Sequence, residues 1–180
     1  NTTASNNTAI GYQAGYSNTT GTINAVGAFA LFANTTGTSN VAVGGYDGTT
    51  ASALRFNTTG SNNTAVGVGS LKSNTTASNN TAVGYQALYD NTTGTSLVAV
   101  GEGALANNTT ADNNTAVGKS ALNGNTTGNH NTASGKDTLG SNTTGNYNTA
   151  LGASALVSNT TGNVNTAVGY RALLSNTTGY

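Results

Sequence analysis

Charge is nearly absent from this chain. Charged residues make up 6% of its 180 positions, five basic and five acidic, and the formal net charge is zero. Soluble domains usually carry roughly a quarter. No basic stripe is available for nucleic acid or for an anionic membrane surface, so neither is an expected partner. Cysteine is missing altogether, which excludes a disulfide framework and a thiolate metal site. No window approaches the ~18 consecutive apolar residues of a membrane helix, so membrane insertion is not expected either. Solubility has to come from Asn, Thr, Ser and Gly, or from something attached to them.

What the chain does have is a repeat. The stretch Asn80-Thr81-Ala82-Val83-Gly84-Tyr85-Gln86-Ala87-Leu88, followed by Asn91-Thr92-Thr93-Gly94, recurs along its whole length. The Gly that closes Ala-Val-Gly falls at 11, 27, 44, 67, 84, 101, 118, 135, 152 and 169, with gaps of 16, 17, 23 and then 17 six times. One residue is deleted early and six are inserted near 45–50. Self-similarity at a fixed period marks a repeat architecture.

Columns follow from this phase. Two residues before the marker Gly stands Ala in all ten copies, and just before it Val or Ile in eight, Ser134 and Leu151 being the exceptions. Leu stands four after it in eight copies, and Asn four before it in eight. Asn-Thr-Thr begins seven after it and is always followed by Gly or Ala. Asn, Thr and Gly are poor helix formers, and the punctuation returns before three helical turns could form. Thr-Ala-Val-Gly reads as a short alternating strand, with Thr and Val on one face and Ala on the other. Asn-Thr-Thr-Gly reads as a turn in which Asn or Gly accepts positive φ. Each copy is then one coil, and the expected fold is all-β: a parallel β-solenoid of about ten 17-residue coils forming a single array over 1–180.

Charge placement supports the phase. Glu102, Lys119 and Lys136 follow the marker Gly, and Asp137 and Arg171 come one later. Arg55, Lys72 and Asp90 lie just after the Leu column, Asp112 beyond the Thr pair and Asp47 in the insertion. None occupies the Ala, Val, Leu, Asn or Asn-Thr-Thr columns. Charges avoid buried positions, so the variable columns are expected to face water and the constant ones not. Constancy on both strand faces has two readings. Either copies of the chain associate, around a threefold axis, or a thin monomeric coil needs Ala for width. Both ends fall inside the repeat without a capping segment, so a longer fibre or end-to-end stacking is expected.

The unit Asn-Thr-Ala-Val-Gly-x-x-Ala-Leu resembles the head repeats of trimeric autotransporter adhesins. It is also similar to Asn-Thr-Ala-(Val/Ile)-Gly arrays in the shafts of phage and virus tail fibres. The resemblance implies a trimeric or solenoidal β-rod on an outer surface, with copies of itself as partners. The period of 17 is longer than in autotransporter heads, and Asn-Thr-Thr-Gly is not part of their motif.

Asn-Thr-Thr is an Asn-x-Thr acceptor for N-glycosylation, at Asn1, Asn18, Asn34, Asn57, Asn74, Asn91, Asn108, Asn125, Asn142, Asn159 and Asn176. The plainer reading is that Asn and Thr stack into hydrogen-bonded ladders. Thr columns also raise ice binding, although adjacent strand residues face opposite ways and leave one outward Thr per coil. Catalysis has little to rest on: His130 is the only His, and no carboxylate pair shares a column. No catalytic, cofactor-binding or metal residues are expected. Aromatic residues (Tyr12, Phe29, Phe32, Tyr46, Phe56, Tyr85, Tyr89, Tyr170) occupy outer or corner columns, suited to covering seams between chains or to binding sugars. In the insertion, Tyr46 and Asp47 are the candidates for a specific contact, since loops thrown out of a solenoid carry recognition. The reading is a structural shaft of an extracellular, cell-surface or virion-surface fibre or filament. Its alternatives are an adhesin or receptor-binding fibre that recognises cell-surface glycans, and an ice-binding solenoid.

Overall fold

The β-branched residues that flank Ala in each copy suit a pleated strand, and every copy forms one. A computed structural model describes residues 3–179. Its strands are β1 (Thr8–Ile10), β2 (Ile23–Val26), β3 (Asn40–Val43), β4 (Thr64–Val66), β5 (Thr81–Val83), β6 (Val98–Val100), β7 (Thr115–Val117), β8 (Thr132–Ser134), β9 (Thr149–Leu151) and β10 (Thr166–Val168). They make one ten-stranded sheet in sequence order. All pairs are parallel and in register, so that Ala65 faces Ala82 and Ala82 faces Ala99. The rungs continue around the circuit: the Leu88 N–H donates to Ala104 C=O at 3.0 Å and the Thr92 N–H to Thr109 C=O at 3.0 Å. The fold is an all-β parallel β-solenoid with 17-residue coils and no helix among the described residues. At about 4.8 Å per level, ten coils span roughly 50 Å.

Five columns fill the interior. The strand Ala, the Ala-Leu pair after the marker Gly, the Asn of Asn-Thr-Thr and the Asn before the strand are buried in nearly every coil. An interior this narrow explains the strand Ala without a neighbouring chain. About a third of the buried residues are Asn, so cohesion along the axis is polar as well as apolar.

Two expectations about columns are corrected. The Val column does not avoid water: Val43, Val100, Val117 and Val168 are exposed, because on a three-residue strand with Ala inward the flanking residues must point out. Positive φ sits neither on the Asn of Asn-Thr-Thr nor on the Gly that follows it. The corners that carry it include Leu31, Leu54, Leu71, Leu88, Leu105, Leu122, Leu139, Leu156 and Leu173, at 47 to 53°. A left-handed conformation costs an L-residue about 1–2 kcal/mol, while burying Leu contributes about 1.5–3 kcal/mol. Burial wins, and Leu holds the corner. Gly15, which interrupts the Leu column, adopts the same corner at 59°.

The marker Gly is required twice over. Gly84 has φ 135°, and a Cβ there would lie 2.6 Å from the Gly101 carbonyl oxygen. Backbone meets backbone at this corner from coil to coil.

The irregular coils leave the stack intact. In the insertion, the Ala53 N–H still donates to Gly44 C=O at 3.1 Å, as Ala87 does to Gly84 at 3.4 Å. The circuit closes and the six extra residues stand outside it. Among the described residues, the only buried side-chain polar atoms without a partner are Asn7 Nδ2 and Ser52 Oγ, both next to the two departures from the 17-residue beat.

Candidate functional site: asparagine ladders and a corner facet

The Asn of Asn-Thr-Thr points inward. Its amide nitrogen makes two bonds, one to the carbonyl three residues on and one to the equivalent Asn one coil earlier. Asn74 Nδ2 donates to Ala77 C=O at 3.0 Å and to Asn57 Oδ1 at 2.8 Å. The same bond joins Asn91 to Asn74, Asn108 to Asn91, Asn125 to Asn108, Asn142 to Asn125 and Asn159 to Asn142, at 2.9 to 3.2 Å. All these amides point the same way, so their dipoles add along the rod.

This placement bears on the sequons. Asn18, Asn34, Asn57, Asn74, Asn91, Asn108, Asn125, Asn142 and Asn159 are fully buried, and a sugar on Nδ2 would displace one ladder bond and open the coil. Asn176 is half-buried and donates to Asn159 Oδ1 at 3.2 Å. Asn1 lies outside the described residues. In the folded rod these residues act as ladder rungs.

A second ladder runs before the strand. Asn63 Oδ1 accepts from the Asn80 N–H at 3.1 Å, and Asn63 Nδ2 donates to Ala77 C=O at 2.9 Å. The pattern repeats at Asn80, Asn131 and Asn148. Leu97 replaces Asn in this column, and its N–H still donates to Asn80 Oδ1 at 3.0 Å.

The Thr pair bends around the outside. Thr92 is half-buried and its Oγ1 donates to Thr109 C=O at 3.0 Å, whereas Thr93 is exposed. Most coils expose only the second Thr of the pair, whereas Thr143 and Thr144 are both exposed.

The insertion folds on itself. Asp47 Oδ1 accepts from the Thr49 N–H at 2.9 Å and from the Thr50 N–H at 2.5 Å, and Tyr46 donates from its hydroxyl to Gly48 C=O at 2.9 Å. The backbone N–H of Thr50, then that of Thr49, hold the Asp47 carboxyl below its ordinary range. Thr50 Oγ1 lies 3.1 Å from the Tyr85 hydroxyl, so the loop reaches along the rod. Tyr46 meets Phe29 edge to face at 6.1 Å, whereas Asp47 is occupied by its own turn.

Aromatic residues gather on the facet after the marker Gly. Tyr12 packs edge-on to Phe29 at 5.3 Å, and Tyr16 stacks on Phe32 at 5.4 Å and 7°. The Arg55 guanidinium lies 4.6 Å from the Phe29 centroid and 5.5 Å from that of Phe32. Lys72 Nζ lies 4.2 Å over the Tyr89 ring and donates to its hydroxyl at 2.9 Å. The sequence marks Arg55 and Lys72 only as outward charges, and the structure half-buries both. Both directly follow the Leu column, and that shared phase was the available signal that they stack. His130 stacks on Tyr147 of the next coil at 4.9 Å.

Among the described residues no group of three or more His, Asp or Glu could hold a metal ion, and no ligand-sized cavity forms. Among these residues no helix is long and apolar enough to cross a membrane. Comparison with protein families, curated proteins and solved structures finds no significant match.

Proposed function

We propose that this β-solenoid repeat protein is a rod segment of an extracellular fibre, on a cell or virion surface, with a mechanical role and no enzymatic one. The carrying observation is the axial continuity of its bonding. Every level joins the next through strand rungs, turn rungs and a buried Asn ladder with one direction throughout. Such a stack resists bending and local opening, because removing one level strands donors and acceptors on both sides. The resemblance to tail-fibre and autotransporter repeats supports the same reading. Self-association would use the outward Thr/Val strand face, since the interior accounts for the Ala column.

Immunogold electron microscopy of the source cells or particles with an antibody against the rod tests this. Labelling along extended surface appendages is expected. Labelling confined to the cytoplasm would overturn the proposal.

A further inference from the structure

At one corner the coils are joined by the same backbone bond level after level. The residue two after the marker Gly donates its N–H to the carbonyl one after the marker Gly of the preceding coil. Phe29 donates to Tyr12 at 2.8 Å, Tyr46 to Ala28 at 3.2 Å, Gln86 to Val68 at 3.0 Å and Gly103 to Tyr85 at 2.9 Å, and the series runs on to Arg171 and Ala153 at 3.0 Å. Between the coils of Gly44 and Gly67 this bond is missing among the described residues: Gly69 does not donate to Gly45. The insertion leaves the circuit at this level, and Ser52 Oγ, where it rejoins, is buried without a partner. Strand rungs and the Asn57–Asn34 ladder bond continue past the gap. One joint therefore carries both deficits, and buried polar groups left unmade are costly.

The insertion also covers the gap it makes. It belongs to the coil of Gly44, crosses Gly69 of the next coil and fastens on the coil beyond, where Thr50 Oγ1 lies 3.1 Å from the Tyr85 hydroxyl. Its other end rests on the coil before, with Tyr46 edge-on to Phe29 at 6.1 Å. Thr50 is only 6% exposed. Gly69 is buried, whereas Gln86, Gly103, Ser120 and Ser154 of the same column are half-buried. A Cβ on Gly69 would lie 2.8 Å from Thr50 Cγ2, so the missing side chain is what lets the loop cross. The backbone alone does not demand Gly there, since Gln86, Ser120 and Ser154 hold this corner at φ 55 to 57°.

We propose that the insertion is a strap over a weakened joint: the rod opens first between the coils of Gly44 and Gly67, and the Thr50–Tyr85 fastening sets how readily it does. A rod bonded alike at every level has no preferred place to yield, and this joint supplies one, with a latch across it. The inference rests on the stacked coils and is independent of where the rod is displayed.

Native-state amide exchange of the whole chain, followed by NMR, tests it. The Leu54 N–H, which donates to Ser70 C=O, and the Gly67 N–H, which donates to Val43 C=O, cross the joint. The Leu105 N–H to Ala121 C=O and the Gly118 N–H to Val100 C=O are the same bonds between two regular coils. Protection at the joint should be lower than at the matched pair by about threefold to tenfold, the worth of one rung. Thr50→Ala unfastens the strap and keeps the Asp47 turn, and Gly69→Ser obstructs the crossing. Each should lower joint protection further, by about threefold or more, while Leu105 and Gly118 stay unmoved. Deleting residues 47–52 returns the coil to the regular beat and should raise joint protection to the matched level. The comparison within the unaltered chain needs no variant to fold, and the Leu105 and Gly118 amides report whether each variant keeps its coils. Equal protection at the two joints in the unaltered chain, joint protection unmoved by both substitutions, or a deletion that loosens the joint would each overturn the proposal.

Discussion

Asn91 Nδ2 donates to Asn74 Oδ1 at 3.2 Å, and Asn91 Oδ1 accepts in turn from Asn108 Nδ2 at 2.9 Å. One side chain therefore satisfies two buried partners on opposite sides. Asn91→Ala orphans Asn74 Oδ1 and one N–H of Asn108, each worth about 1–3 kcal/mol when left unmade. A loss of about 3 kcal/mol is expected by urea denaturation. Thr93→Ala, two residues away on the exposed side, should change stability by less than ~0.5 kcal/mol.

The marker Gly gives a sharper test of coil-on-coil contact. Gly84→Ala places a Cβ 2.6 Å from the Gly101 carbonyl oxygen at φ 135°. No side chain gives way there, since the obstacle is backbone. Destabilisation beyond ~2 kcal/mol is expected, with thermal unfolding as the readout.

Val164 marks a place where the chain is worse than it need be. It holds φ 59° at the exposed corner before the strand, where other coils carry Asn62, Asn79 or Asn113 at similar angles. A β-branched residue is poorly suited to that conformation, and Asn tolerates it. Because Val164 is 68% exposed, little packing is lost on replacement. Val164→Asn should stabilise by about 1 kcal/mol and raise the melting temperature.

The insertion carries a pH dependence of defined sign. Asp47 has a lowered pKa in the fold, chiefly from the Thr50 and then the Thr49 backbone N–H groups. Whatever order this gives the loop is present above the unfolded carboxylate pKa and is lost as pH falls through the depressed value. Protection of the Thr49 and Thr50 amides, measured against the intrinsic exchange rate at each pH, should therefore fall at acid pH while the Ala53 amide, bonded to Gly44, stays protected. Asp47→Asn should flatten the dependence.

How far the sequence disclosed the molecule depends on the column. The 17-residue beat and the short Thr-Ala-Val strands were legible because stacking places like residues over like, and charges kept to the outer columns. The side of each constant column was less legible. Val83 and Ala82 are both repeated, yet only Ala82 is buried, since strand propensity alone keeps Val on a wet face. Leu88 in a left-handed corner was not foreseeable from propensity, which assigns such corners to Gly and Asn; its burial overrides the rule. The Asn-Thr-Thr motif carries two readings with identical letters, acceptor or rung, and only the direction of the Asn side chain separates them. Arg55 and Lys72 were separable from the other charges only once the insertion was put in phase.

The most direct measurement is the axial advance per repeat, from fibre diffraction or cryo-electron microscopy of aligned rods. One coil per 17 residues requires a meridional spacing of about 4.8 Å, with rods ten levels long near 50 Å. An advance several times larger, a helical diffraction pattern or a compact globule would contradict the stacked-coil structure and the fibre role built on it.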